Sequence, residues 1–334
     1  MDNERLITPE PNKKLTVKVE DGENGVQFLV IEELSKRIPI YSIRNLEHHC
    51  QMAKAVRDEV PMVVYGGIWA VFKGVKRRSL GARFFQEAKP GRPPESKVPM
   101  VVPPEEMLQF IDWSRVHPDF RSLRWRANFV KLWTTHGAPL HIIAPVKKNL
   151  WALPDEFKTT PEDFSARYPE AKPVNCPTAA FYWREDPYWR HFATLSACYM
   201  RTETYLGVSS FNPHGEEPPY TFEELKEQVK MGRIPFEVIV RDDLFEESGA
   251  FSSHTQMRLP LVGGDPEFVV LRLGSFSPDG FTRITGFGCK LASASVKDVR
   301  KNPGENLDRR LFTMLGKIHQ EYQKEKPLIC CRRP

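Results

Sequence analysis

The sequence predicts a mixed α/β fold on an open, twisted mixed sheet. Three observations carry this. Short apolar or alternating runs read as strands, and capped amphipathic stretches lie between them. Neither G-x-G-x-x-G after a strand nor G-x-x-x-x-G-K-[ST] occurs, which sets the chain apart from dinucleotide-binding and P-loop proteins. Apolar residues make up 40% and charged residues 27% of the 334 positions, so a sizeable core is available and disorder is excluded.

The elements follow in order. Residues 14–19 (KLTVKV) and 26–31 (VQFLVI) read as strands around a DGENG turn. Asn45 caps a helix whose one face carries Leu46, His49, Cys50, Ala53 and Val56. Residues 61–65 (PMVVY) form a buried strand ending at Gly66-Gly67, and 97–102 and 139–146 are further strands. In TFEELKEQVKMG, Thr221 and Glu224 make a capping box and Gly232 closes the helix. Strands at 236–240 and 267–274 follow, and Leu307, Leu311, Leu315, Ile318 and Tyr322 recur at helical spacing. No internal repeat stands out, and the Pro- and charge-rich stretch 147–176 reads as an insertion.

No run of about 18 apolar residues occurs and the start has no apolar segment, so a cytoplasmic location without membrane contact is expected. Cys50, Cys176, Cys198, Cys289, Cys330 and Cys331 form no C-x-x-C pair and read as reduced thiols; no metal ligand set and no prenylation signal is expected. The net charge of +5 suits an anionic small ligand or a weak RNA contact. The basic runs 73–78 and 121–126 read as solvated faces.

Four stretches carry polar groups suited to anions. AKPGRPPESKVP (88–99) holds Lys89, Arg92 and Lys97 on a loop too rich in Pro and Gly for a helix. Arg92 can meet a phosphate or carboxylate as a fork, the lysines as point charges. SSFNPHGE (209–216) follows a short strand, TYLGV, and sets Ser210 and Asn212 two apart, on one face of extended backbone. GAFSSHTQ (249–256) clusters hydroxyls after a glycine, and in VLRLGSF Arg272 ends a strand.

In this order the pieces resemble the YrdC-like family, the threonylcarbamoyl-adenylate synthases of transfer-RNA modification. The matched positions are Tyr65-Gly66, then Lys89, Arg92 and Lys97, then HGAPLHIIAP at 136–145. Ser210, Asn212 and Gly215, then Ser253 and Thr255, then Arg272 complete the match over about residues 35–280. The resemblance implies an open twisted sheet around a basic cavity and a nucleotidyltransferase that takes an amine, bicarbonate and ATP with Mg²⁺ to a carbamoyl-adenylate and pyrophosphate. Lys89 and Arg92 would be catalytic; Lys97, Ser210, Asn212, Ser253, Thr255, Arg272 and Tyr65 would hold the nucleotide. The layout would be an arm and hairpin over 1–30, the YrdC-like domain over 31–294 and a C-terminal helical extension over 295–334.

The chain departs from the family pattern in informative ways. Met62 and Val63 stand where the family carries Thr, and the Lys-x-Arg element is stretched to Lys-Pro-Gly-Arg. Phe211 replaces the Ala of Ser-Ala-Asn, while His136, His141 and His214 occupy motif positions of other residue types, with His254 beside a fourth. A site that loses its hydroxyls loses discrimination for a hydroxylated substrate, on the order of 10⁴-fold in favourable cases. The amine is therefore open, and His141 and His214 are read as catalytic bases. A tailoring enzyme of a small-molecule biosynthetic pathway and a non-catalytic nucleotide- or RNA-binding module are the alternatives.

Overall fold

The computed structural model describes residues 14–76, 81–89, 91–93, 96–135, 138, 140–147, 153, 155–199, 204–214, 216–247, 254–274, 276–292, 317–318 and 320–324. In chain order the strands are β1 (Val17–Asp21), β2 (Gln27–Ile31), β3 (Lys36–Ser42), β4 (Met62–Tyr65), β5 (Trp69–Lys76), β6 (Met100–Val101), β7 (Leu140–Pro145), β8 (Lys158–Thr159), β9 (Thr178–Tyr182), β10 (Thr204–Ser210), β11 (Val238–Arg241), β12 (Thr255–Arg258), β13 (Phe268–Arg272) and β14 (Cys289–Leu291). The helices are α1 (Leu46–Arg57), α2 (Gly81–Glu87), α3 (Pro104–Phe110), α4 (Leu123–Thr134), α5 (Pro161–Arg167), α6 (Pro187–Tyr199), α7 (Phe222–Lys230), α8 (Asp243–Glu247) and α9 (Pro278–Thr285). Two compact units arise: residues 1–92 with 195–247, and residues 93–194 with 248–334.

The first unit carries a sheet in the order β1-β2-β3-β11-β4-β5-β10. β11 runs parallel to both β3 and β4, and the remaining pairs are antiparallel. Because β3 and β4 share a direction, the chain must cross over between them, and α1 is that crossover. Asn45 starts α1 by accepting the Glu47 N–H at 3.0 Å. Both adjacent histidines of α1 are buried: His48 Nδ1 accepts the Ser42 N–H at 3.0 Å, and His49 Nε2 lies 2.7 Å from the Ile43 carbonyl. They tie down the turn between β3 and α1. Thr221 caps α7 through the Glu224 N–H at 3.2 Å, and Gly232 ends it at φ +79°.

The second unit carries a sheet in the order β6-β9-β7-β12-β13-β14, with β8 on the same edge of β9 as β6. β7 runs parallel to β12 and antiparallel to β9, and β12 runs antiparallel to β13. Every residue of β7 and β9 is buried, the polar His141 and Thr178 included, which explains their largely apolar character. Trp125 and Phe129 of α4 stack at 4.9 Å, and Phe120 meets Phe268 edge-on at 5.4 Å, closing the core on one face. The strand expected at 97–102 shrinks to the two residues of β6, since Pro99, Pro103 and Pro104 flank it and donate no ladder hydrogen bonds. Of the C-terminal helix, residues 317–318 and 320–324 are helical, and Ile318 is buried. The rest of the expected extension lies outside the described residues.

Candidate functional site

In the first unit the cationic loop after α2 folds onto the end of β10. The Arg92 N–H reaches the Lys89 carbonyl at 3.0 Å with Gly91 at φ +78°, so the four-residue turn needs glycine at its third place. The turn sets Lys89 and Arg92 side by side. Lys89 Nζ donates to Ser210 Oγ at 2.8 Å and to Asn212 Oδ1 at 3.2 Å, while Arg92 donates to Ser209 Oγ at 2.8 Å. Two cations therefore share one end of a strand with neutral oxygens. The amide nitrogen of Asn212 donates to the carbonyls of Pro213 and Glu216. That bonding turns its oxygen towards Lys89, so Asn212 positions the lysine and its amide hydrogens serve the backbone.

Ser209 is a partner that strand alternation did not flag, because adjacent strand residues face opposite ways. The end of β10 is reached from both sides. His214 lies exposed on the following turn, and a Cβ added at Gly91 would stand 3.5 Å from His214 Cβ. Tyr65 is buried in the same unit against Trp69 and Phe245, at ring distances of 5.2 and 6.1 Å. A cavity of about 300 Å³ opens at the ends of β3 and β11 beside Tyr41, His48 and Arg241, and no predicted site residue lines it.

In the second unit the register builds a polar row. Tyr182 of β9 faces His141 of β7, His141 faces Gln256 of β12, and Gln256 faces Arg272 of β13. Directly opposed residues project to one side of a sheet, so these four side chains share a face. His254 joins them, with ring centroids 5.4 Å from His141 and 4.7 Å from Tyr182. His141 and Tyr182 meet edge-on at 5.0 Å, and Tyr168 donates to Gln256 Oε1 at 3.1 Å. Arg272 donates to the His254 carbonyl at 3.1 Å.

Burial governs the electrostatics of this row. It pushes His254 down to about 3, with Arg184 and Arg272 adding to the effect. Burial also holds His141 well below the usual imidazole range, reinforced by His254, Arg272 and Arg167. Tyr182 is pushed up to about 12 by burial, against the pull of Arg184. Both imidazoles are neutral at pH 7, and such weak bases are poorly matched to proton abstraction near neutrality. His141 Nδ1 is buried without a hydrogen-bond partner.

The other predicted residues of this unit are placed as follows. Thr255 Oγ1 donates to the Phe276 carbonyl at 2.7 Å and accepts the N–H groups of Gly274 at 2.9 Å and Phe276 at 3.2 Å, so its hydroxyl holds the turn after β13. Lys97 pairs with Asp163 of α5 at 3.5 Å. Ser253 and His136 lie outside the described residues. The basic run at 121–126 is partly structural: Arg121 donates to the carbonyls of Val116 and Ser114 at 2.7 and 2.9 Å, and Arg126 lies over the Trp113 ring at 4.2 Å. Among the described residues no helix is long and apolar enough to cross a membrane.

No protein-family model and no curated protein matches the sequence. The backbone is similar to a doubly substituted P. abyssi Sua5 at 14% identity and a TM-score of 0.50, covering 84% of this chain and 76% of that one. P. abyssi Sua5 complexed with L-threonine gives 14% identity and a TM-score of 0.49, with 86% and 77% covered. E. coli YciO gives 14% and 0.47, with 70% and 95% covered. The chain has the mixed α/β fold of Sua5, the YrdC-like fold that the motif order implies.

Proposed function

We propose that this protein is an adenylate-forming enzyme that joins an amine, bicarbonate and ATP into a carbamoyl-adenylate, releasing water and pyrophosphate. The observation that carries the reading is the turn at residues 89–92, which brings Lys89 and Arg92 onto Ser209, Ser210 and Asn212 at one strand end. That set of hydroxyls and cations, with Asn212 holding Lys89 in place, fits a polyphosphate. Lys89 and Arg92 neutralise charge that grows on phosphoryl oxygens during displacement, and the serines orient those oxygens. Attack by a carbamate oxygen on the α-phosphorus breaks the bond to the β-phosphate, whose electron pair leaves with pyrophosphate.

Mg²⁺ would shield phosphate charge, entering on the nucleotide itself; among the described residues no group of three or more His, Cys, Asp or Glu is placed to hold a metal. The amine is a separate matter. Met62 and Val63 stand where the family pattern carries threonines, and this favours an amine other than threonine in a biosynthetic tailoring role. The test is pyrophosphate release from ATP and bicarbonate across the twenty amino acids and simple amines. Lys89→Ala and Arg92→Ala should each lower the rate by at least 100-fold, a loss of the size seen when one transition-state donor is removed. Unchanged release in both variants, or no amine-dependent release in the parent protein, refutes the reading.

A further inference from the structure

The cavity in the first unit is a place that the cationic turn at Lys89 and Arg92 does not use. Its volume is about 300 Å³, and its walls come from the β1–β2 turn, the ends of β3 and β11, α1 and the start of α8. β3 and β11 are adjacent and parallel, and Ser42 faces Arg241 where both end. The carboxyl ends of parallel strands are where open α/β sheets hold ligands. None of the lining residues is a position that carries the family resemblance.

Three side chains of the wall have bonding capacity left over. His48 Nδ1 accepts the Ser42 N–H at 3.0 Å, so the neutral ring carries its hydrogen on Nε2. Asn45 Oδ1 accepts the Glu47 N–H at 3.0 Å, which leaves Asn45 Nδ2 facing His48 Nε2 at 3.3 Å. Two N–H groups then meet, and neither accepts. Burial holds His48 below the usual imidazole value, against the pull of Glu47, so the ring is neutral at pH 7. Arg241 meets Asp243 at 2.5 Å and Glu246 at 3.6 Å, both through Nη2, and its Nη1 has no hydrogen-bond partner among the described residues. The Tyr41 ring packs on His48 at 5.3 Å, and its hydroxyl is likewise without a hydrogen-bond partner among them. At the rim, Asp21 accepts the Gln27 amide at 3.0 Å and keeps its other lone pairs.

We infer that this cavity is a binding site for a neutral polyhydroxylated ring, a monosaccharide or a cyclitol. The wall needs acceptors for His48 and Arg241 and donors for Asp21, and a hydroxyl is both at once. An anion answers the N–H groups but faces the carboxylates of Asp21 and Asp243, which also line the cavity. An ammonium answers the carboxylates and leaves the His48 N–H unmet. The guanidinium of Arg241 is already neutralised by Asp243 and Glu246, so its place in the wall calls for no charge in the ligand. Tyr41 offers an aromatic surface to the C–H face of such a ring. Ligand sites span about 300–1,000 Å³, and a cavity at the small end of that range suits a single ring. The site stands whether or not the protein turns over ATP.

The test uses the full chain labelled with ¹⁵N in its histidines, at neutral pH and constant ionic strength. It is titrated with D-glucose, D-galactose, D-ribose and myo-inositol, and separately with D-glucuronate and ethanolamine. At least one neutral ring should bind saturably and shift the His48 Nε2–H signal. D-Glucuronate and ethanolamine should bind about tenfold more weakly or worse, since each leaves part of the wall unanswered. Tyr41→Ala should weaken the best neutral ligand by about tenfold, and Gln27→Leu, which removes the amide that holds Asp21, by about threefold. Should Tyr41→Ala not fold, Gln27→Leu and the His48 signal decide. No saturable binding by any neutral ring, saturation with the His48 signal unmoved, or tighter binding of D-glucuronate or ethanolamine overturns the inference. Parent-like affinity in Gln27→Leu and in a folded Tyr41→Ala also overturns it.

Discussion

Lys89 and Asn212 are coupled through a single side-chain amide. Asn212 Oδ1 receives the lysine at 3.2 Å while Asn212 Nδ2 donates to the carbonyls of Pro213 and Glu216. One residue therefore shapes the turn after β10 and aims a cation from a distant loop. Asn212 is 9% exposed, so its bonds are made away from water.

Asn212→Asp should weaken pyrophosphate binding by tenfold or more. The carboxylate would pair with Lys89 and set oxygen against the two carbonyls that the amide now serves. Asn212→Ala should cost about 1–3 kcal/mol in denaturant unfolding, the usual cost of leaving buried partners unsatisfied. Calorimetry and urea melts check the pair, and unchanged values in both would remove Asn212 from its positioning role.

Gly91→Ala should destabilise the protein by about 1–2 kcal/mol, because an L-residue resists the left-handed region at φ +78°. No clash adds to this, since the nearest neighbour of the new Cβ is His214 Cβ at 3.5 Å. Gly91→Asn should be milder, as Asn tolerates that conformation. Thermal melts of the two variants give the comparison; a larger loss for Asn would show that conformation is not the cause.

Thr255→Val keeps the shape of the side chain and removes the hydroxyl that bonds Gly274 and Phe276. A loss of about 2 kcal/mol is expected, from two N–H groups and one carbonyl left unpaired. Thr255→Ser should recover most of it. Equal stability of the Val and Ser forms would show that the turn stands without these bonds.

Asp265 anchors the second unit's core edge, bonding Arg258 at 2.8 Å and also Lys290. Burial alone would raise its pKa, but the hydrogen bond from Lys290 and the charges of Lys290 and Arg258 outweigh that and hold it below the ordinary aspartate value. The unfolded chain therefore takes up the proton first as pH falls. The stabilisation is complete above the ordinary value and is lost as pH descends through the lower, folded-state value. Asp265→Asn should lower stability at pH 7 by about 1–3 kcal/mol and flatten the acid limb of a stability–pH profile. An unchanged limb would assign the acid sensitivity to other carboxylates.

Local chemistry wrote much of this protein into its sequence. Asn45 and Thr221 start their helices as their side chains dictate, and Lys-Pro-Gly-Arg closes a turn because glycine takes the positive φ of its third place without strain. Ser210 and Asn212 both meet Lys89, as their spacing suggested, although β10 ends at Ser210 and a bend, with the Asn212 N–H on the Ser210 carbonyl at 3.1 Å, places Asn212. Other relationships had no local trace. Ser209 as the partner of Arg92, and the row Tyr182, His141, Gln256 and Arg272, depend on which strands adjoin and in what register. Register is set by burying whole sheet faces, and a slip of one residue would turn each member of the row to the other side. Residue type and short-range geometry thus determined the caps, the turn and the choice of polar groups, while long-range packing alone decided which of those groups meet.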